Sequence, residues 1–337
     1  MDISGFLEEW NNSSDSVLVH TSGSTGEPKP MMVQKARMLA SARITCNFLG
    51  LREGDRALLC MPLDYIAGKM MVVRSIERKM ELISVEPSSH PLAGLKEQCF
   101  DLIAMVPYQV HCSVQVPQER EILMNCKNLI IGGGAISDEL QKELEDFPNA
   151  VWSTYGMTET LSHIALRRLN GSGRSEWYTP FENVRIGTDK DGCLWIDAPL
   201  IHEGVLQTND IAELNSDERT GRAVFKIIGR KDNVICSGGI KLQIEQIEQA
   251  LKPYIKVPFC VSRRKDEKFG EIAILLVENQ NDNPSETSSE ISLDTLEKAV
   301  DSLEKYSRPK EIILVKEIPL TGTGKIDRAS AERLAAR

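Results

Sequence analysis

Short apolar runs alternating with helical patterns constrain this chain more than any other feature. Residues 57–61 (ALLCM), 102–106 (LIAMV) and 128–131 (NLII) are compact and bounded by polar, Pro or Gly residues, as buried strands are. Between them, residues 34–48 and 138–146 show helical spacing, the second opened by Ser137 as an N-cap. Strands that alternate with helices predict an α/β fold with a mostly parallel sheet. At 337 residues the chain has room for two domains.

Near residue 180 the texture changes to short, turn-rich segments (GTDKDG, CLWIDAPL, LQTNDIAEL). Residues 187–226 are therefore predicted as a small antiparallel, barrel-like portion with hairpin turns. The charged turn GRKDN then marks a boundary, giving an N-terminal domain over 1–229 and a smaller α+β C-terminal domain over 230–337. In the latter, 244–251 and 294–303 read as helices and 258–262, 272–277 and 311–315 as strands. Residues 279–290 (NQNDNPSETSSE) are too polar to bury a core and are expected to form a mobile loop.

Composition removes several classes of function. A net charge of −9 argues against a general binder of nucleic acid or anionic membranes. No apolar run approaches membrane-spanning length, and Met1-Asp2-Ile3-Ser4 lacks a signal-peptide pattern, so a cytoplasmic protein is expected. The eight cysteines form no Cys-x-x-Cys pair and are expected to be reduced thiols.

The stretch HTSGSTGEPKP (20–30) surrounds two glycines with hydroxyls and sets a lysine between prolines. Glycine lets backbone N–H groups approach phosphate oxygens, and Thr21, Ser22, Ser24, Thr25 and Lys29 add donors and charge. The common mononucleotide pattern G-x-x-x-x-G-K-[ST] does not fit, because Pro28 stands where the second glycine would and Pro30 follows Lys29.

Together with STYGMTET, LQTNDIAEL, GRKDNVICSGGIKL and PLTGTGKIDR, in that order, this loop resembles the signature series of the adenylate-forming superfamily. That superfamily includes acyl- and aryl-CoA synthetases, and the resemblance spans residues 17–328. It implies that a carboxylate attacks the α-phosphate of ATP, giving an acyl adenylate and pyrophosphate, after which a thiol, usually coenzyme A, displaces AMP. By that resemblance Thr21, Ser22, Gly23, Ser24, Thr25, Gly26 and Lys29 would hold the β- and γ-phosphates. Tyr155 would lie against adenine, Thr158 would bond the α-phosphate, and Glu159 would hold Mg²⁺. Asp210 would take the ribose hydroxyls, with Asn209 in place of the family's glycine, and Arg230 would contact ribose and phosphate. Lys231 aligns with the hinge of a mobile C-terminal domain, Gly238 and Gly239 would line the CoA channel, and Lys325 would bring its charge between the carboxylate and the α-phosphate.

The acid pocket is expected from MPLDYIAGKMMVVRS and IIGGGAI, with Tyr65, Lys69, Gly133 and Gly134, joined by Ser162 and His163. Lys69, where a leucine is common, and Arg74 on the same helix are both cations, and Lys69 is the one expected to meet a second substrate carboxylate. Among relatives the chain is most similar to the o-succinylbenzoate–CoA ligases of menaquinone biosynthesis. Alternatives are an adenylation enzyme that loads an amino or aryl acid onto a carrier protein, and a non-catalytic nucleotide- or acyl-binding relative. Only 20 residues precede Thr21, whereas relatives carry a long N-terminal portion, and dimerisation over the exposed sheet is expected to compensate.

Overall fold

The computed structural model describes residues 1–20, 30–96, 99–279, 292–321 and 326–336. The expected phosphate-loop residues Thr21 to Lys29, all of the polar insert except Asn279, and Lys325 lie outside the described residues.

Helix α1 (Ile3–Asn11), capped by the Asp2 side chain on Gly5 N–H, leads into an antiparallel pair, β1 (Ser16–His20) and β2 (Pro30–Gln34). Helix α2 (Lys35–Leu49) ends at Gly50, whose φ of 69° supplies the left-handed C-cap. Then come β3 (Arg56–Leu59), α3 (Ile66–Arg78), β4 (Glu81–Ser84), β5 (Leu102–Met105), α4 (Pro107–Val114), α5 (Pro117–Asn125), β6 (Asn128–Ile131) and α6 (Asp138–Glu143). Strands β7 (Ala150–Gly156), β8 (His163–Arg168) and β9 (Thr179–Pro180) complete a seven-stranded sheet in the order β4-β3-β5-β6-β7-β8-β9. Its first five strands are parallel and its last two antiparallel, so the mostly parallel expectation holds.

The period of two along each strand divides the core. On β5, Leu102 and Ala104 join a cluster with α1, α2 and α3, while Ile103 and Met105 join one with α4, α5 and α6. Both faces of the sheet are thus covered by helices, which is why its strands read as unbroken apolar runs. Ser137 caps α6 as expected, its Oγ accepting from Leu140 N–H at 3.1 Å.

An antiparallel sheet follows, ordered β10 (Arg185–Thr188), β11 (Cys193–Asp197), β12 (Val205–Ser216) and β13 (Ala223–Arg230). The last sheet holds β14 (Val234–Ser237), β15 (Ile240–Gln243), β16 (Phe259–Asp266), β17 (Gly270–Glu278) and β18 (Glu311–Val315), with β18 parallel to β17. Helices α7 (Ile244–Leu251) and α8 (Leu293–Asp301) cover the face bearing Ala273, Leu275 and Val277. Helix α9 (Arg328–Ala335) covers the face bearing Ile272, Ile274 and Leu276. Among the described residues no helix is long and apolar enough to cross a membrane. All eight cysteines are free, and five of them are buried.

Ile103 is fully enclosed at the centre of the sheet. Ile103→Ala is expected to lower unfolding free energy by about 2–5 kcal/mol, through lost burial and the cavity left behind. Met32→Ala on the exposed face of β2 should stay within about 0.5 kcal/mol. Chemical denaturation of both variants checks the contrast.

Candidate active site

The candidate residues gather at the carboxyl ends of β6 and β7, where open α/β sheets leave a crevice. Gly133, with φ of 81°, and Gly134 follow β6 directly, and both are exposed. The preceding Gly132 has no room for a side chain: an added Cβ would lie 2.3 Å from Thr154 Oγ1.

Tyr155, near the end of β7, donates its hydroxyl to Asp210 Oδ2 at 2.6 Å. Burial, reinforced by the Asp210 charge, pushes that hydroxyl far above its usual range and keeps it a donor. Asp210 on β12 lies opposite Arg230 on β13, whose NH1 donates to Asp210 Oδ1 at 3.0 Å. Each carboxylate oxygen keeps a second lone pair, so a vicinal diol can add without displacing either partner. The Tyr155 ring meets Phe225 edge-on at 5.0 Å, which fixes its plane.

After β7 the chain turns sharply. Gly156 is required there, since a Cβ would sit 2.3 Å from the carbonyl oxygen of Ser162. Thr158 to Thr160 form one 3₁₀ turn, with Thr160 Oγ1 accepting from Met157 N–H at 2.9 Å. Leu161 follows at φ 62°, a left-handed conformation that a branched residue adopts only under constraint. Thr158 is buried, while Glu159 is half-buried and has no partner among the described residues. A free carboxylate beside a tight turn is an oxygen donor suited to a hard divalent cation.

Ser162 and His163 lie on the far side of this turn, and the cation that meets them is Arg74, not Lys69. Arg74 NH2 donates to Ser162 Oγ, and NH1 reaches Met71 Sδ at 3.6 Å. The guanidinium is 3% exposed, its Nε has no hydrogen-bond partner, and no carboxylate pairs with it among the described residues. Burial lowers its pKa to about 10, which leaves it charged at neutral pH. Ser162 Oγ lies 3.3 Å from His163 Nδ1, and His163 Nε2 lies 3.1 Å from Thr45 Oγ1. Burial, then the Arg74 charge, holds His163 well below the usual histidine range, so the imidazole is neutral.

Lys69 is equally buried but already satisfied. Its Nζ donates to the Leu18 carbonyl at 2.6 Å, pairs with Glu9 at 3.4 Å and lies over the Phe6 ring at 5.4 Å. It fastens α1 to β1, and Glu9 completes the tie by accepting from Leu18 N–H at 2.9 Å. Five residues separate the two cations, which places them about 140° apart around α3. Tyr65 is the N-cap residue of α3 and bridges to His20, the last described residue before position 30.

The remaining expected residues form a second group. Lys231 pairs with Asp191 at 2.7 Å, and Asn209 donates to Asp232 at 3.2 Å. Gly238 and Gly239, both at positive φ, make the β14–β15 turn, and Gly238 N–H donates to the Phe269 carbonyl at 2.8 Å. Lys268 and Lys310 both place Nζ within 6 Å of the Phe269 ring, at 5.3 and 5.7 Å. Although Lys325 is not described, its flanks are tied: Leu320 bridges Ile326, and Asp327 N–H donates to the Pro319 carbonyl at 2.8 Å.

Spacing along the chain favours Lys69 over Arg74 and does not single out Thr45. Thr45 belongs to no motif; its only signal is that it and Ser41 are polar residues on a helix face otherwise made by Met38, Ala42, Cys46 and Leu49. A buried charge without an acid partner costs stability. Arg74→Met is therefore expected to stabilise the ligand-free protein by about 1–4 kcal/mol in urea unfolding. A loss of stability would mean that the guanidinium has a structural partner.

The family model for AMP-binding enzymes matches residues 6–193. The 2-succinylbenzoate–CoA ligase of Listeria monocytogenes is 26% identical over 96% of this chain and 70% of the relative. A solved acyl-CoA synthetase (AMP-forming)/AMP-acid ligase II-like protein from Dyadobacter fermentans is 36% identical. That likeness covers 97% of this chain and 91% of the other, with a TM-score of 0.63. The o-succinylbenzoate–CoA synthetase of Bacillus subtilis, solved with its acyl-adenylate intermediate, has the same fold, with a TM-score of 0.76 and 22% identity over 93% of this chain and 68% of that one. With its matched segment covering more than half its length, the chain belongs to the AMP-binding enzyme family.

Proposed function

We propose that this AMP-forming acid–CoA ligase activates an aromatic dicarboxylic acid of the o-succinylbenzoate type, with ATP, Mg²⁺ and coenzyme A as cosubstrates. The observation that carries the choice of acid is the buried, acid-free guanidinium of Arg74 beside Ser162 and His163. A monocarboxylic acid spends its only charge at the α-phosphate and leaves Arg74 unpaired. A dicarboxylic acid supplies the missing anion, and a carboxylate is the geometric match for a guanidinium fork. The curated relatives named 2-succinylbenzoate–CoA ligase, which match nearly the whole chain, support the same reading.

In this reading the Asp210 carboxylate accepts the ribose hydroxyls, and Tyr155 and Arg230 fix its orientation. Arg230 also brings positive charge toward the phosphate side. Mg²⁺, when bound, neutralises the charge that builds on the leaving pyrophosphate, and Glu159 is the residue that would hold it. A carboxylate oxygen of the acid attacks the α-phosphorus, and the P–O bond to pyrophosphate breaks. The CoA thiolate then attacks the acyl carbon and AMP departs with the bonding pair. Thr158 would hydrogen-bond the α-phosphate, and Lys325 would place its ammonium between the two reacting anions.

For the thiol, Lys268 and Lys310 around Phe269, next to the Gly238–Gly239 turn, favour CoA over a carrier protein. Two exposed ammonium groups flanking an aromatic ring offer charge for phosphates and a face for a base.

Arg74→Met is expected to reduce kcat/KM for o-succinylbenzoate by about 10–100-fold, the worth of a charge-assisted hydrogen bond, with KM for ATP changed less than about twofold. Equal loss for acid and ATP would remove Arg74 from the acid site. Lys325→Ala should slow adenylate formation by about 100-fold or more while leaving thioester formation from preformed adenylate near wild type. Survival of both half-reactions would refute the role of Lys325.

A further inference from the structure

Resting on the dicarboxylate reading and extending it, we propose that Thr45 is a positioning residue. It fixes the tautomer of His163 and so keeps the Ser162 proton on that ring, leaving Arg74 as the group that donates to a second substrate carboxylate.

Proton counting carries the inference. Thr45 is fully buried, and its single hydroxyl has two neighbours: the Ser41 carbonyl at 3.2 Å and His163 Nε2 at 3.1 Å. A carbonyl only accepts, so keeping both contacts requires the hydroxyl to donate to Ser41 and Nε2–H to donate to Thr45 Oγ1. A neutral imidazole has one N–H, so Nδ1 is bare and accepts from the Ser162 hydroxyl, 3.3 Å away. Ser162 Oγ in turn accepts from Arg74 NH2. The bonds therefore run one way, from Arg74 to Ser162, to His163, to Thr45, to the Ser41 carbonyl. The opposite tautomer leaves the Thr45–Ser41 contact without a proton and frees the Ser162 hydroxyl to donate elsewhere.

The consequence for a ligand is chemical. With the Ser162 proton committed to His163, the subsite presents the remaining N–H groups of Arg74, among them the Nε that has no partner. A carboxylate accepts from them with both oxygens. A carboxamide at the same place offers one acceptor oxygen and turns an N–H group toward a guanidinium, an arrangement that leaves donors unpaired.

The test uses the full-length, ligand-free protein, ¹⁵N-labelled at histidine, with the His163 signals identified by their loss in His163→Gln. Ring nitrogen shifts are expected to show the Nε2–H tautomer in wild type, a gain of the Nδ1–H tautomer in Thr45→Val, and recovery in Thr45→Ser. In parallel, the ratio of kcat/KM for o-succinylbenzoate to that for its benzamide analogue should rise about tenfold in Thr45→Val and return in Thr45→Ser, with KM for ATP unchanged. The rise follows because the freed Ser162 proton adds a donor for a carboxylate, while the Ser162 lone pairs no longer take an amide N–H. An Nδ1–H tautomer in wild type, or a Thr45→Val variant that changes neither tautomer nor ratio, overturns the inference. If Thr45→Val fails to fold, the wild-type spectrum still decides. A wild-type enzyme with the Nε2–H tautomer but no preference for o-succinylbenzoate overturns the acid reading and leaves the proton arrangement standing.

Discussion

The Asp210 carboxylate is the point on which the rest of the site depends. It receives Tyr155 from the parallel sheet and Arg230 from the last residue of the antiparallel sheet, just before the chain enters the C-terminal sheet. One anion thus joins two paired strands of the antiparallel sheet to β7, which belongs to a different sheet. Arg230 extends the connection by donating through NH2 to Asp232 at 2.9 Å, beside the Asn209 amide. Asn209, where the motif resemblance leads one to expect glycine, makes a side-chain bond that glycine cannot form.

The two buried cations of α3 show how position on a helix decides chemistry. Lys69 faces the N-terminal helix, where a carbonyl, a carboxylate and an aromatic ring absorb its charge. Arg74 faces the turn after β7, where it meets only neutral groups. Burying a charge without an acid is costly, and proteins that keep such groups keep them at functional sites. The same logic separates Tyr155, whose raised proton affinity keeps it a donor, from Glu159, a half-buried carboxylate with no protein partner among the described residues.

The sheet was legible because its strands are buried on both faces and so appear as unbroken apolar runs; the strands at 102, 128 and 311 begin where the apolar runs do. Motif order singles out Tyr155, Asp210 and Arg230, and the structure brings the three into one hydrogen-bonded set. The choice between Lys69 and Arg74 was not legible. Both are cations on one helix, and what separates them is Glu9 and the Leu18 carbonyl, which lie 60 and 51 residues away in sequence. Thr45 was invisible for a similar reason: its partner His163 is 118 residues distant, and tertiary hydrogen bonds leave no local period.

The account stands on the claim that Arg74 is completed by the substrate rather than by the protein. The most direct measurement is a crystal structure of the enzyme with a non-hydrolysable acyl-adenylate analogue of o-succinylbenzoate. The ring carboxylate is expected within about 3 Å of the Arg74 guanidinium, with the nucleotide ribose on Asp210. A ring carboxylate turned to solvent, or seated on Lys69 with Arg74 still unpaired, would contradict it.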